Sequence, residues 1–160
     1  MALARIGLGA NLGDAAATVR AASDALGELG AVRARSALYG STPWGGVAQP
    51  DFVNAAALLE TALAPLPLLR ALQALERRFG RVPGVRYGPR ALDLDLLAYD
   101  ALSLATPELA LPHPRLLERA FVLVPLAEIE PAFAAARDAL GAADCDVWRI
   151  PFPEGRTSKT

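Results

Sequence analysis

RYGPRALDLDLL, running from Arg86 to Leu97, joins a glycine- and proline-containing loop to a run in which leucine and aspartate alternate. In a strand successive side chains face opposite ways, so Asp93 and Asp95 share one face while Leu92, Leu94 and Leu96 share the other. Aspartate is a poor strand residue, and like charges side by side on one face destabilise a sheet, so packing alone does not account for the pair. A cation between the carboxylates resolves the conflict. Carboxylate oxygens on a rigid strand suit a hard ion such as Mg²⁺, which takes one or two of them and draws its other ligands from water and substrate phosphates.

Upstream, Leu3 to Gly9 is a short apolar run ending in glycine, and Asp14 is placed to cap a helix that runs through Leu29 to a stop at Gly30. Val32 to Tyr39 alternates as a strand, with Arg33 and Arg35 on one face. Gly40 to Asp51 and Gly80 to Pro89 each carry three glycines and two prolines and read as loops. Phe52 to Thr61 is alanine-rich and helical by propensity, yet its neighbours need a sheet partner, so the expectation is a strand. Pro65 to Phe79 spaces Leu68, Leu69, Leu72 and Leu75 as a helix with proline at its start.

Ala91 to Tyr99 is the aspartate strand. Leu109 to Pro114 is held extended by prolines, Arg115 to Arg119 turns once, and Phe121 to Ile129 is apolar around Pro125. Pro131 to Leu140 predicts a last helix stopped by Gly141. The order β, α, β, β, α, β predicts an α+β fold, a ferredoxin-like antiparallel sheet with helices packed on it in a three-layer variant. At 160 residues the expectation is a single domain. Residues 1–143 form its body and 144–160 an extension ending in a polar tail.

The net charge of −1 provides no global basic field for nucleic acid or an anionic membrane. The longest apolar candidate for a membrane span, Ala55 to Leu75, is broken by Glu60, Pro65, Pro67 and Arg70. Cys145 is the single cysteine and cannot form an internal disulfide, so the expected location is the cytoplasm. Of 16 basic residues only Lys159 is lysine, and it lies in the polar tail, which leaves arginine to hold any phosphate.

GLGANLG, Gly7 to Gly13, looks like a dinucleotide fingerprint, but it is one residue too long and no acidic residue ends the next strand to hold a ribose. A tight turn with Asn11 exposed is the expected reading. Arg77, Arg78, Arg81, Arg86 and Arg90 fall within 14 residues. Arg77 and Arg78 complement a helix C-terminus, whereas Arg81 and Arg90 lie on the loop entering the aspartate strand, where guanidinium forks could grip a triphosphate. His113, the one histidine, sits between two prolines near Arg115 and Arg119. Phe52 and Phe121 could flank a flat heterocycle, with Asn54 on the same strand face as Phe52.

In this order, GLGANLGD, STPWGG, QPDFVNAA, LERRFGR, YGPRALDLDLL, LPHPR and RAFVLVPLAEI resemble the 6-hydroxymethyl-7,8-dihydropterin pyrophosphokinase family over nearly all of Ile6 to Pro131. The resemblance implies transfer of the β,γ-pyrophosphate of ATP to the pterin hydroxymethyl oxygen, leaving AMP, in folate biosynthesis, with two Mg²⁺ ions. It implies that Asp93 and Asp95 hold metal and that Asp95 also meets the pterin hydroxyl. Phe52 and Phe121 are implied to sandwich the pterin, with Thr42, Pro43 and Asn54 at its polar edge. Arg81 and Arg90 are implied to act with Asp95 in catalysis and to grip the triphosphate, while Gln73, His113 and Arg119 contact the nucleotide.

Tyr87 falls where relatives carry tryptophan, as a lid. Pro83 stands where some relatives have an arginine, and whether Arg86 takes over its phosphate contact is left open. The implied partners are ATP and the pterin alone, with no nucleic acid, no membrane and a monomeric chain. The competing reading is a non-catalytic ferredoxin-like module that binds a nucleotide as a regulatory ligand.

Overall fold

The computed structural model describes residues 1–43, 48–80, 88–140 and 146–151. In chain order its elements are β1 (Ala2–Ala10), α1 (Ala15–Ala25), β2 (Ala31–Arg35), β3 (Tyr39–Ser41), β4 (Phe52–Thr61) and α2 (Pro65–Arg78). Then follow β5 (Asp93–Tyr99), β6 (Leu104–Ala105), β7 (Ala110–Leu111), α3 (Ala120–Ile129), α4 (Ala134–Ala139) and β8 (Val147–Arg149). The main sheet runs β5-β1-β4-β3-β8, with β2 also on β4, and β6 pairs with β7 apart from it. Every pairing is antiparallel.

Strand alternation divides the molecule. Ala4, Ile6 and Leu8 of β1, Ala55, Ala57 and Leu59 of β4, and Leu94 and Leu96 of β5 bury themselves against Val19 and Ala22 of α1 and Leu68, Leu72 and Leu75 of α2. Asp14 caps α1 by accepting the Ala17 N–H at 3.1 Å. On the opposite face Ala56 and Leu97 pack with Leu116 and with Val122 and Leu126 of α3. The sheet thus lies between two helical layers. Leu96 and Leu97 are both buried because consecutive strand residues face opposite ways, Leu96 toward α1 and α2 and Leu97 toward α3.

Phe52–Thr61 is a strand despite its alanines, since β4 sits between β1 and the β2–β3 edge and its small side chains let helices pack on both faces. The expected Val32–Tyr39 strand, by contrast, is interrupted. The Ser36 Oγ takes the Ala56 N–H at 2.9 Å in place of a backbone carbonyl, and the Ala37 N–H goes to the Glu128 carboxylate at 3.0 Å. Pairing with β4 resumes only at Tyr39.

Phe121–Ile129 is helical although Pro125 lies inside it; proline has no N–H, so the Phe121 carbonyl gains no intrahelical donor there. The Pro131–Leu140 helix is a 3₁₀ turn, Pro131–Phe133, leading into α4. The extension is not a bare tail either. It returns as β8, where the Trp148 indole lies so close over Gly40 that any Cβ at that position would collide with it. No helix among the described residues is long and apolar enough to cross a membrane.

Candidate active site

Register builds the site. Gly9 of β1 pairs with Asn54 on one side and Asp93 on the other, and Gly7 pairs with Ala56 and Asp95. Directly opposed residues share a face, so two rows cross the central strands on the α3 side, each with glycine in the middle. The missing side chains leave a trough roughly two strand spacings, or about 10 Å, wide between the Asn54 and Asp93 positions. A Cβ on Gly9 would stand 3.4 Å from the Asn54 Oδ1 and begin to fill it.

The trough is the floor of a cavity of about 280 Å³. Asp93, Asp95 and Arg90 line it toward the sheet edge, and Thr42, Phe52 and Asn54 line it on the β3–β4 side. Arg119 and Phe121 close it from the start of α3, with the Arg119 guanidinium 5.5 Å from the Phe121 ring centroid. Asn54 and the two aspartates therefore stand on opposite sides of the glycine positions, and two aromatic rings, the Thr42 hydroxyl and two guanidiniums share the cavity with them.

Each group is held by named bonds. The buried Asn54 donates through Nδ2 to the Ser41 Oγ at 2.8 Å and to the Tyr39 carbonyl at 3.3 Å, leaving Oδ1 turned to the Gly9 side. Arg90 lies with Nε 3.8 Å from the Asp93 Oδ2. Its backbone is fixed reciprocally: the Arg90 N–H donates to the Asn11 Oδ1 at 2.8 Å, and the Asn11 N–H donates to the Arg90 carbonyl at 3.0 Å.

Asn11 is therefore buried rather than exposed as its turn suggested. Its Nδ2 also donates to the Gln49 Oε1 and the Pro50 carbonyl, both at 2.9 Å, so one side chain ties together the segments flanking both Gly/Pro loops. The two early glycines, Gly7 and Gly9, belong to β1 and form the cavity floor; the turn itself uses Gly13 at φ 59°.

Glu76 was not foreseen. It is 4% exposed on α2, and its Oε2 accepts the Leu94 N–H at 2.9 Å, the backbone donor between the two aspartates. That N–H points away from β1, so the carboxylate caps an open strand edge at the point where the acidic pair must keep its place. The signal was present in the sequence: Glu76 follows Leu72 by four residues on the apolar stripe of α2, where a charge has no reason to sit unless it is bonded.

His113 is half-buried beside these walls rather than among them. Its N–H donates to the Leu97 carbonyl at 2.7 Å, and its Nδ1 accepts the Arg115 N–H at 3.1 Å, which places the ring hydrogen of the neutral form on Nε2. Burial, then the neighbouring Arg119 and Arg115, hold its pKa below the usual histidine value. Gln73 is exposed on α2, and neither it nor Pro43 lines the cavity. The expected roles of Arg81, Arg86 and Tyr87, and the Pro83 substitution, lie outside the described residues.

The donor chemistry suits magnesium: two carboxylates on one face of a rigid strand match an ion that keeps several waters and substrate oxygens in its shell. Groups of three or more candidate metal ligands are absent among the described residues.

The family model described as 7,8-dihydro-6-hydroxymethylpterin-pyrophosphokinase matches residues 5–131. The 2-amino-4-hydroxy-6-hydroxymethyldihydropteridine pyrophosphokinase of Methylorubrum extorquens is 46% identical over 133 residues, covering 82% of this chain and 84% of that protein. The enzyme of the same name from Pseudomonas aeruginosa is 48% identical over 128 residues, 79% of each chain. Among solved structures, Plasmodium falciparum HPPK-DHPS with pteroate superposes with a TM-score of 0.70 at 14% identity. That match covers 86% of this chain but 42% of the Plasmodium chain, and it speaks for the fold alone. By sequence over most of its length, the chain belongs to the 7,8-dihydro-6-hydroxymethylpterin-pyrophosphokinase family.

Proposed function

We propose that this chain transfers pyrophosphate from ATP to the hydroxymethyl group of 6-hydroxymethyl-7,8-dihydropterin, releasing AMP, within folate biosynthesis. One observation carries the reading: a single cavity joins the Phe52, Phe121 and Asn54 walls to the Asp93, Asp95, Arg90 and Arg119 walls. In this reading a flat heterocycle lies between the Phe52 and Phe121 rings, with Thr42 and Asn54 hydrogen-bonding its edge. The hydroxymethyl arm then reaches toward the acidic strand. The β5-β1-β4-β2 order and antiparallel pairing support a ferredoxin-like description of the scaffold, in its three-layer form.

Asp93 and Asp95 are the residues that would hold magnesium, two ions in this reading. When bound, the metal neutralises charge on the phosphate oxygens and lowers the pKa of the attacking alcohol. The chain's own groups do the rest. Arg90, fixed through Asn11 at its backbone, and Arg119 receive anionic oxygens; Arg81 is proposed to join them. Gln73 and His113 are proposed nucleotide contacts at the edge of the site.

The alcohol and the leaving AMP must stand on opposite sides of the β phosphorus, and such transfer depends chiefly on positioning and electrostatic stabilisation. Glu76, by fixing the strand between the aspartates, supplies part of that positioning. The near-neutral charge and lone cysteine support a cytoplasmic enzyme of small molecules, working without nucleic acid or membrane.

The test is direct. Purified protein incubated with ATP, Mg²⁺ and the pterin alcohol should release AMP in proportion to pterin consumed. Binding of ATP without any AMP would instead establish a regulatory nucleotide module.

A further inference from the structure

We propose that β8, which follows the family-matched residues 5–131, completes the pterin end of the site by positioning Thr42 through the backbone of Asp146. The inference rests on the reading that Thr42 contacts the pterin. Thr42 lines the cavity just beyond the end of β3. Its N–H donates to the Asp146 carbonyl at 3.1 Å, and its Oγ1 accepts the Asp146 N–H at 2.9 Å. Backbone and side chain of one cavity residue are thus both held by one residue of the C-terminal segment.

The chemistry of that pair sets the polarity of the wall. A hydroxyl that accepts an N–H still carries its own hydrogen, so Thr42 is left to donate toward an acceptor atom on the ligand. Asn54, whose Nδ2 is occupied by Ser41 and Tyr39, turns an acceptor oxygen into the same cavity. A donor and an acceptor on neighbouring strands are the complement of a heterocycle edge that presents both. Without β8 the Thr42 side chain would be free to choose among its rotamers, and the donor would lose its aim.

The seat of β8 is specific rather than incidental. Arg149, Trp148 and Val147 pair with Tyr39, Gly40 and Ser41, and the Trp148 indole occupies the space that any side chain at Gly40 would need. The Ile150 N–H donates to the Leu38 carbonyl at 2.9 Å and secures the far end of the strand. Asp146 acts through its backbone, so the identity of its side chain is immaterial and the signal is invisible to a motif search.

The experiment compares the wild type, Asp146→Pro, Thr42→Val, Thr42→Ser and the Asp146→Pro/Thr42→Val double variant by steady-state kinetics. Loss of one hydrogen bond predicts a rise in pterin KM of about three- to tenfold for Asp146→Pro, with ATP KM and kcat held within about twofold. Thr42→Ser, which keeps the hydroxyl, should raise pterin KM less than Thr42→Val does. In the Thr42→Val background Asp146→Pro should add nothing further to pterin KM, because the hydroxyl it positions is gone. Ile150→Pro, which breaks the same strand's hold elsewhere, should lower stability and leave pterin KM unchanged.

Equal rises in pterin and ATP KM for Asp146→Pro, or the same effect in both backgrounds, would overturn the inference and leave β8 a purely structural strand. If Thr42→Val itself leaves pterin KM unchanged, the Thr42 contact is wrong and the inference fails with it, while AMP release by the wild type would still uphold the overall reaction. Should Asp146→Pro fail to fold, the wild-type Asp146 amide decides. Its NMR signal should shift and its hydrogen exchange slow on saturation with pterin, and an unresponsive amide would overturn the proposal.

Discussion

The two faces of the sheet are built from the same three strands yet obey opposite rules. On the α1–α2 side Ile6, Leu59, Leu68 and Leu72 are fully buried in an aliphatic core. On the α3 side the same strands present Gly7 and Gly9, Asn54, and Asp93 and Asp95 around an open cavity. Alternation at a period of two residues permits this: a single β5 segment sends leucine to the core and aspartate to the ligand. The dry face carries the stability and the wet face holds adjacent like charges that favour the bound state over the empty one.

If that division is right, substitutions on the two faces should separate cleanly. Asp95→Ala should reduce AMP formation by about 10³-fold, in the range seen when one group that stabilises developing charge is removed, with the fold left intact. Near-normal turnover would break the assignment of the wet face. Leu72→Ala should do the reverse, costing about 2–5 kcal/mol in urea unfolding while leaving kcat unchanged in the folded fraction. A loss of turnover comparable to that of Asp95→Ala, at a temperature where the variant remains folded, would show that the faces are coupled.

Within the wet face the two ends should separate as well. Arg90→Ala removes a guanidinium from the phosphate end while its backbone tie to Asn11 remains available. Turnover should fall by about 10²-fold, with pterin affinity, measured by titration, altered far less. Equal losses in both would place Arg90 at the wrong end of the cavity.

Most of this architecture was legible because its elements follow short-range rules. The Asp/Leu alternation of β5, the capping Asp14 and the leucine spacing of α2 are each decided within a few residues, and the strand reading of Phe52–Thr61 followed from the needs of its neighbours. The misreadings occurred where long-range partners override local preference. Ser36 breaks a well-alternating strand because its hydroxyl meets Ala56 from another strand. Pro125 masked α3, which is sustained by packing of Val122 and Leu126 against the sheet. Val147–Arg149 is too short to announce itself and becomes a strand through the edge that β3 offers.

For the site, side-chain chemistry and spacing pointed to Asp93, Asp95, Phe52, Asn54, Arg90 and Phe121, and the family resemblance added Thr42 and Arg119; all of these line one cavity. The supports were harder to see. Asn11 and Glu76 act on backbone atoms of distant segments, and a backbone partner leaves no residue-type signature at the other end.

His113 allows a last and smaller test, because its titration links stability on the α3 side to pH. Its pKa is lowered in the folded protein by burial first and by Arg119 and Arg115 second, so the folded state binds its proton more weakly than the unfolded chain does. Below about pH 6.5, the ordinary histidine value, the unfolded chain takes up a proton that the folded protein still refuses, and stability falls. The loss ends once the pH drops below the folded pKa, where both states are protonated. Asn at this position can keep an acceptor for the Arg115 N–H while removing the titration. Urea unfolding midpoints at pH 8 and pH 5.5 should therefore drop less in His113→Asn than in the wild type. An equal drop would show that the acid sensitivity belongs to the carboxylates, and the histidine would then have no part in the difference between the two faces.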